Sequence, residues 1–273
     1  MNYHVSCLSL PGKFQTSAFV KITLLGTGTS QGVPMIGCDC NVCLSKNKKD
    51  KRLRSSVLIE HDGTSIVIDT GPDFRYQMLR AGVKDLDAVL LTHEHYDHVA
   101  GLDDIRAFNR IRRQPMDVYA EKRVLTRVEH ELDYAFGDRK LPGLPSIRLN
   151  EINEFENFRV GSIDLIPLRT MHHKLPVLGF RTGDFAYITD TNYIPQETLK
   201  KLTGVKVLVL TALRLTPHIS HFNLEQAVEA MQKINPERGF FTHMSHQIGL
   251  HEEVNKTLPE GLELGYDGME LVL

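Results

Sequence analysis

Short apolar runs rich in β-branched residues recur at positions 21–25, 57–60, 65–69, 88–92, 164–168, 186–189, 205–210 and 239–242, the pattern of buried β-strands. Between them the apolar positions switch to a helical period at 74–81, 102–109, 124–136, 196–202 and 224–234. This interleaving predicts an α/β fold. Strands at 55–60 and 64–69 are separated only by His61-Asp62-Gly63, a turn signal that makes them an antiparallel hairpin. A purely parallel sheet would not start this way. Mixed sheets with helices on both outer faces, a four-layer αββα sandwich, fit better. Pro195 marks one helix start, and Asn223 with Gln226 three positions on marks another.

A chain of 273 residues suits one large α/β domain over 21–273. Residues 1–20 read as a loose arm, interrupted by Pro11 and Gly12. The apolar fraction of 41% and charged fraction of 24% carry no signature of disorder. A formal charge of -2 offers no overall attraction to a polyanion, so nucleic acid is not an expected partner. Basic runs at 46–54 and 106–113 read as solvated faces and loops. No apolar run approaches the ~18 residues of a membrane span, and the arm lacks the apolar core of a secretory signal. A cytoplasmic location without a membrane partner is the expectation.

Candidate chemistry sits where apolar strands end: Asp69, His93, Asp190 and His243. In the segment His93-Glu94-His95-Tyr96-Asp97-His98, residues two apart in extended chain point the same way, so His93 and His95 can address one ion. The following turn redirects Asp97 and His98. Four donors in so short a loop exceed what one ion takes and suggest two divalent ions. Such a pair can hold a hydroxide in line with a phosphorus centre. Asp97 would orient that nucleophile, and His221, just before the helix at 224–234, is the candidate acid for a poor leaving group. Cys38, Cys40 and Cys43 fall within six positions, which in a reducing compartment favours zinc over disulfides. A closed zinc site over the 37–44 loop needs a fourth ligand, and His246 is the choice. Cys7 stands alone and reads as inert.

The His-x-His-x-Asp-His segment after an apolar strand resembles the signature of the metallo-β-lactamase superfamily. The resemblance extends over 21–273, with Asp69-Thr70-Gly71 upstream and Thr189-Asp190 and His243 downstream. It implies His93, His95 and His172 on one metal, Asp97, His98 and His243 on the other, and Asp190 bridging. His172 and His173 are adjacent, and the family's spacing to a following Leu favours His172. Asp69 is expected behind the ligands rather than among them.

The cysteine loop narrows the resemblance. Together with Gly26 to Pro34, Thr242-His243-Met244-Ser245-His246-Gln247 and the tail Gly265 to Glu270, it is similar to the phosphoribosyl 1,2-cyclic phosphate phosphodiesterase family. That family implies a small cyclic phosphate substrate, manganese or zinc in the active site, zinc in the cysteine site, and commonly a homodimer. Thr211 stands where its members often carry Asp. The pyrroloquinoline quinone biosynthesis protein B group is an alternative whose length and tail fit less well. A ribonuclease Z-like tRNA 3′-processing endonuclease would predict a Gly/Pro-rich clamping arm, for which the sequence shows no insertion. A vestigial binding module would predict eroded ligands, and none is eroded.

Overall fold

The computed structural model describes residues 19–137 and 143–273. Cys7 and nearly all of the 1–20 arm lie outside the described residues. One sheet contains β1 (Lys21–Gly26), β2 (Ser56–His61), β3 (Thr64–Ile68), β4 (Ala88–Leu90), β5 (Met116–Ala120) and β6 (Ile147–Glu151). The other contains β7 (Phe158–Val160), β8 (Ile163–His172), β9 (Leu175–Thr182), β10 (Phe185–Ile188), β11 (Val207–Thr211), β12 (Arg238–Thr242) and β13 (Leu262–Leu264). The last strand, β14 (Glu270–Val272), returns to the edge of the first sheet beside β1, and the orders are β14-β1-β2-β3-β4-β5-β6 and β13-β12-β11-β10-β9-β8-β7. Helices among the described residues are α1 (Asn41–Leu44), α2 (Phe74–Ala81), α3 (Tyr96–Val99), α4 (Arg106–Arg112), α5 (Lys122–Glu131), α6 (Asp133–Phe136), α7 (Gln196–Lys201), α8 (Leu224–Ile234) and α9 (His251–Asn255).

Strand alternation explains the layering. Val57, Ile59, Ile66 and Ile68 meet Phe180, Tyr187, Val207 and Val209 in the core between the sheets. Their neighbours Leu58 and Val67 face outward onto Phe74, Phe108 and Val128 of the first helical layer. Leu208 and Leu210 likewise turn to Leu224, Ala227 and Met231 of the second. The result is the expected αββα sandwich. The β2–β3 hairpin pairs antiparallel as predicted, and its turn places Asp62 and Gly63 at φ 43° and 75°, the left-handed region that Asp-Gly tolerates. Asn223 and Gln226 form a reciprocal capping box at α8.

Several expectations need correction. The strand expected at 164–168 runs to His172, because Pro167 and the charged Arg169 hide the continuing pairing with β9. The helix expected at 124–136 starts at Lys122 and breaks at Leu132, whose φ of -113° and ψ of 37° separate α5 from α6. The helix expected at 102–109 begins as a 3-10 turn over Leu102–Ile105 before α4. Arg52, placed in a solvated run, is buried and donates to Thr27 Oγ1 at 2.9 Å and Gly265 O at 2.6 Å. No described helix is long and apolar enough to cross a membrane.

Candidate metal centre

Parallel strands β3, β4, β10 and β12 bring their carboxyl ends to one rim of the sandwich, where Asp69, His93, Asp190 and His243 follow within three residues of the strand ends. Asp69, Asp190 and His243 all have left-handed backbones, at φ 64°, 45° and 58°. Such strain in non-glycine residues persists where surrounding structure enforces it, commonly at functional sites. The loops interlock: Thr70 N donates to His98 O and Gly101 N to Thr70 O, both at 2.7 Å.

Donor atoms converge in overlapping groups. Those of Asp97, His98, Asp190 and His243 lie within 4.8 Å of one another, as do those of His93, His95 and Asp190. His172 groups instead with Asp190 and His221, though its ring centroid is only 5.2 Å from that of His95. Asp190 belongs to all three groups. Its Oδ1 is 3.5 Å from His98 Nε2 and 3.0 Å from His243 Nδ1, and its Oδ2 is 3.7 Å from His93 Nε2. His173 is exposed on a left-handed backbone and belongs to none of these groups. The structure thus brings His172, not its neighbour, into the cluster.

His98 is held from behind. Its Nδ1 lies 2.7 Å from Asp69 Oδ2, while Asp69 Oδ1 accepts from Thr92 N at 2.8 Å. That contact keeps the proton on Nδ1 and leaves Nε2 free to face Asp97 at 3.2 Å. Burial opposes charge on Asp97 and Asp190, yet His98 and His243 hold both carboxyls below the usual carboxylate range. Burial likewise opposes a proton on His98, but Asp97, Asp190 and Asp69 outweigh it and push its pKa up. The cage therefore favours positive charge. His93 Nε2, His98 Nε2 and His243 Nε2 are buried without hydrogen-bond partners, a costly arrangement that cations at these atoms would relieve. The donor set fits divalent metal ions.

His221 is buried among the rings of His172, His243 and His218, with centroids at 4.5, 5.0 and 5.2 Å. Its Nδ1 has no partner, and burial lowers its pKa to about 3.

The cysteine loop forms a second cluster, in which Cys38, Cys40, Cys43 and His246 put their donor atoms within 4.8 Å of one another. His246 Nδ1 is 3.5 Å from Cys38 Sγ and 3.2 Å from Cys40 Sγ. The Cys43 backbone N–H, followed by His246, lowers the Cys40 thiol to about 6, whereas burial raises Cys43 to about 11. Residues 243 to 246 connect this cluster to the cage.

Residues 64–244 match the family model described as the beta-lactamase superfamily domain. A solved structure of a diphosphatase from the PhnP family is 38% identical, with a TM-score of 0.88, covering 93% of this chain and 97% of that one. This chain belongs to the PhnP family of the β-lactamase superfamily. It is also 43% identical over 256 residues to an octanoyltransferase of Porphyromonas gingivalis, covering 93% of this chain but 52% of that protein, so it spans about half of that relative. The zinc-bound PqqB structure from Methylobacterium extorquens, at 19% identity and a TM-score of 0.75 over 93% of this chain and all of that one, shares the fold.

In this PhnP-family chain the sequence reading missed what surrounds the His93 loop. Arg123 of α5 pairs through Nη1 with Glu94 and donates through Nη2 to Pro176 O at 2.7 Å. It thereby clamps the loop carrying His93 and His95 to the hairpin carrying His172. The signal was available: Arg123, Thr126, Arg127 and His130 recur at helical spacing on one face. Thr211 ends β11, fully buried, with its hydroxyl unpartnered.

Proposed function

We propose that this protein is a dinuclear metal-dependent phosphodiesterase acting on a small cyclic phosphate such as phosphoribosyl 1,2-cyclic phosphate. The observation that carries this reading is the sharing of Asp190 between the group with His93 and His95 and the group with Asp97, His98 and His243, an arrangement suited to two ions with one bridging carboxylate. His172 completes the first set. Two divalent ions, Mn or Zn, when bound supply Lewis acidity toward phosphoryl oxygens and acidify water. Cys38, Cys40, Cys43 and His246 would hold a structural zinc, which draws its ligands together without an open position.

The chain's own residues divide the remaining work. Asp97, partly open at the cage mouth, accepts a hydrogen bond from the attacking water and so orients it. His221 donates toward the leaving oxygen. Its low pKa leaves it neutral near pH 7, with one ring N–H still able to donate as negative charge develops on that oxygen.

A second reading, hydrolysis of a phosphoanhydride, is favoured by the diphosphatase relative, which matches nearly end to end. In that reading the leaving group is a phosphate rather than a sugar alkoxide. Octanoyl transfer belongs to the name of a protein about twice as long, and the His/Asp cage gives no reason to carry it over.

The test compares leaving groups. His221→Ala should slow hydrolysis of a cyclic ribose phosphate by about 100-fold or more, and that of bis(p-nitrophenyl) phosphate, whose phenolate leaves readily, far less. Equal slowing removes His221 as the acid. Metal-loaded protein inactive on cyclic phosphates but active on diphosphates would replace the first reading with the second.

A further inference from the structure

Helix α5 buries Val124, Leu125 and Val128 against the first sheet, which leaves positions 123, 126, 127 and 130 on a different face. Arg123, Thr126, Arg127 and His130 there line a cavity of about 520 Å³ together with Glu94, His95 and Tyr96. His95 belongs to the cage as well, so the cavity is its lateral extension. Its size falls in the range of small-molecule sites.

Three carboxylates lie beside the stripe, since Glu121 Oε2 is 3.9 Å from Arg123 Nη2. Glu94 pairs with Arg123, and Glu131 Oε1 lies 2.7 Å from Arg127 Nη2 and 3.9 Å from His130 Nδ1. Glu131 also accepts from the Tyr96 hydroxyl. Glu94 and Glu131 are the less exposed members of their pairs, with side chains 22% and 27% exposed against 36% for Arg123, 44% for Arg127 and 79% for His130. The guanidinium groups are therefore the more open members of their pairs, and the carboxylates brace them. Arg127 uses one Nη on Glu131, which leaves further N–H donors of its planar fork for a ligand.

We propose that this stripe is a subsite for a second, non-reacting phosphate on the substrate, with Arg127 its main contact and His130 and the Thr126 hydroxyl beside it. The proposal rests on the phosphoester reading above. Guanidinium forks suit phosphate oxygens, and anchoring a remote phosphate converts binding energy into alignment of the reacting bond over the cage.

Ribose 1,2-cyclic phosphate with and without a 5-phosphate differs in that one group. Wild-type protein should show a higher kcat/KM for the phosphorylated form. Arg127→Ala should lower that preference by about tenfold or more, Arg127→Lys should keep part of it, and adding His130→Ala should lower it further. The Ki of ribose 5-phosphate should rise in the same order. An unchanged preference in the double variant overturns the subsite while the phosphoester reading stands. Wild-type protein inactive on both compounds overturns that reading and the subsite with it. Variants that lose precursor tRNA cleavage with the preference intact would make the stripe a contact for an RNA backbone instead, which also overturns the proposal.

Discussion

Replacing Asp69 by Asn swaps one carboxylate oxygen for an NH2 donor in a fully buried position, and the contacts there fix the consequence. Asp69 Oδ1 accepts from Thr92 N at 2.8 Å, and Oδ2 from Thr92 Oγ1 at 2.9 Å and His98 Nδ1 at 2.7 Å. An amide can put its oxygen at only one of those two places. If the oxygen stays with Thr92 N, the new NH2 faces His98 Nδ1, which must then accept. The ring proton moves to Nε2, pointing at Asp97, and that nitrogen can no longer bind a cation. If the amide flips, the Thr92 N–H is left unpaired in the interior, at a cost of about 1–3 kcal/mol. Loss of such outer support lowers metal affinity by about 10- to 100-fold, equivalent to about 1.4–2.7 kcal/mol. The two costs are comparable, so the variant should show both in part. Chelator competition should report weaker binding of one active-site ion. Calorimetry of the metal-free variant should show a lower Tm, at roughly 2–4 °C per kcal/mol for a chain of this size. Wild-type metal affinity together with a wild-type Tm would refute the argument that Asp69 sets the His98 tautomer.

Cys40→Ser should remove one zinc per chain and lower Tm while the active-site ions remain, since a structural zinc contributes folding free energy. Unchanged zinc content and Tm would rule out zinc in the cysteine loop. Gly101→Ala would drive a methyl group into the Gly71 carbonyl oxygen, where backbone on both sides blocks relief. A loss of about 1–3 kcal/mol and weakened hydrolysis are expected, measured by denaturant unfolding and by kcat, and an unaffected variant would mean that the Gly71 and Gly101 loops are not interlocked. Buried His251, lowered to about 4 by burial and then by Arg52, titrates below its unfolded value near 6.5. Its two ring nitrogens face Arg52 Nη2 at 3.4 Å and Asn255 Nδ2 at 3.1 Å, so a second ring proton finds no acceptor. The unfolded chain therefore binds the proton first, and the contribution is full above about pH 6.5 and lost as pH falls through 4. That depression corresponds to roughly 3 kcal/mol, and screening reduces it to about 2. His251→Gln should flatten the fall in stability over this window, and an unchanged slope would show that another group is responsible.

What the sequence made legible followed from contiguity. His93, His95, Asp97 and His98 stand in one segment, and a turn after a buried strand is enough to aim them inward. The cysteine loop was equally local, apart from His246, which proximity to His243 suggested. Strands β2, β3 and β11 were legible because they are apolar on both faces and read as short continuous apolar runs. Strands β6 and β9 were not, since exposed Arg148 and Glu151 break the pattern in one and Pro176 and Gly179 punctuate the other. His172, the last residue of β8 and paired with Leu175, followed from the family resemblance rather than from any strand pattern.

Long-range polar partners were the least legible, and here the physics differs. A buried Arg such as Arg52 has the same sequence surroundings as a solvated one, and its burial follows from distant acceptors, the Thr27 hydroxyl 25 positions away and the Gly265 carbonyl 213 positions away. Arg123 is a similar case, because its value lies in joining Glu94 to Pro176 across two loops that no local pattern relates. Ligands can be read where the chain concentrates them, whereas the groups that aim the ligands come from wherever the fold has an unpaired donor to spare. For this protein, searching helix faces next to the ligand loop for polar spacing of three and four would have found Arg123 and Arg127 from sequence, since α5 begins two residues after the strand β5 that neighbours β4. That adjacency is what turns a surface stripe into a wall of the metal centre.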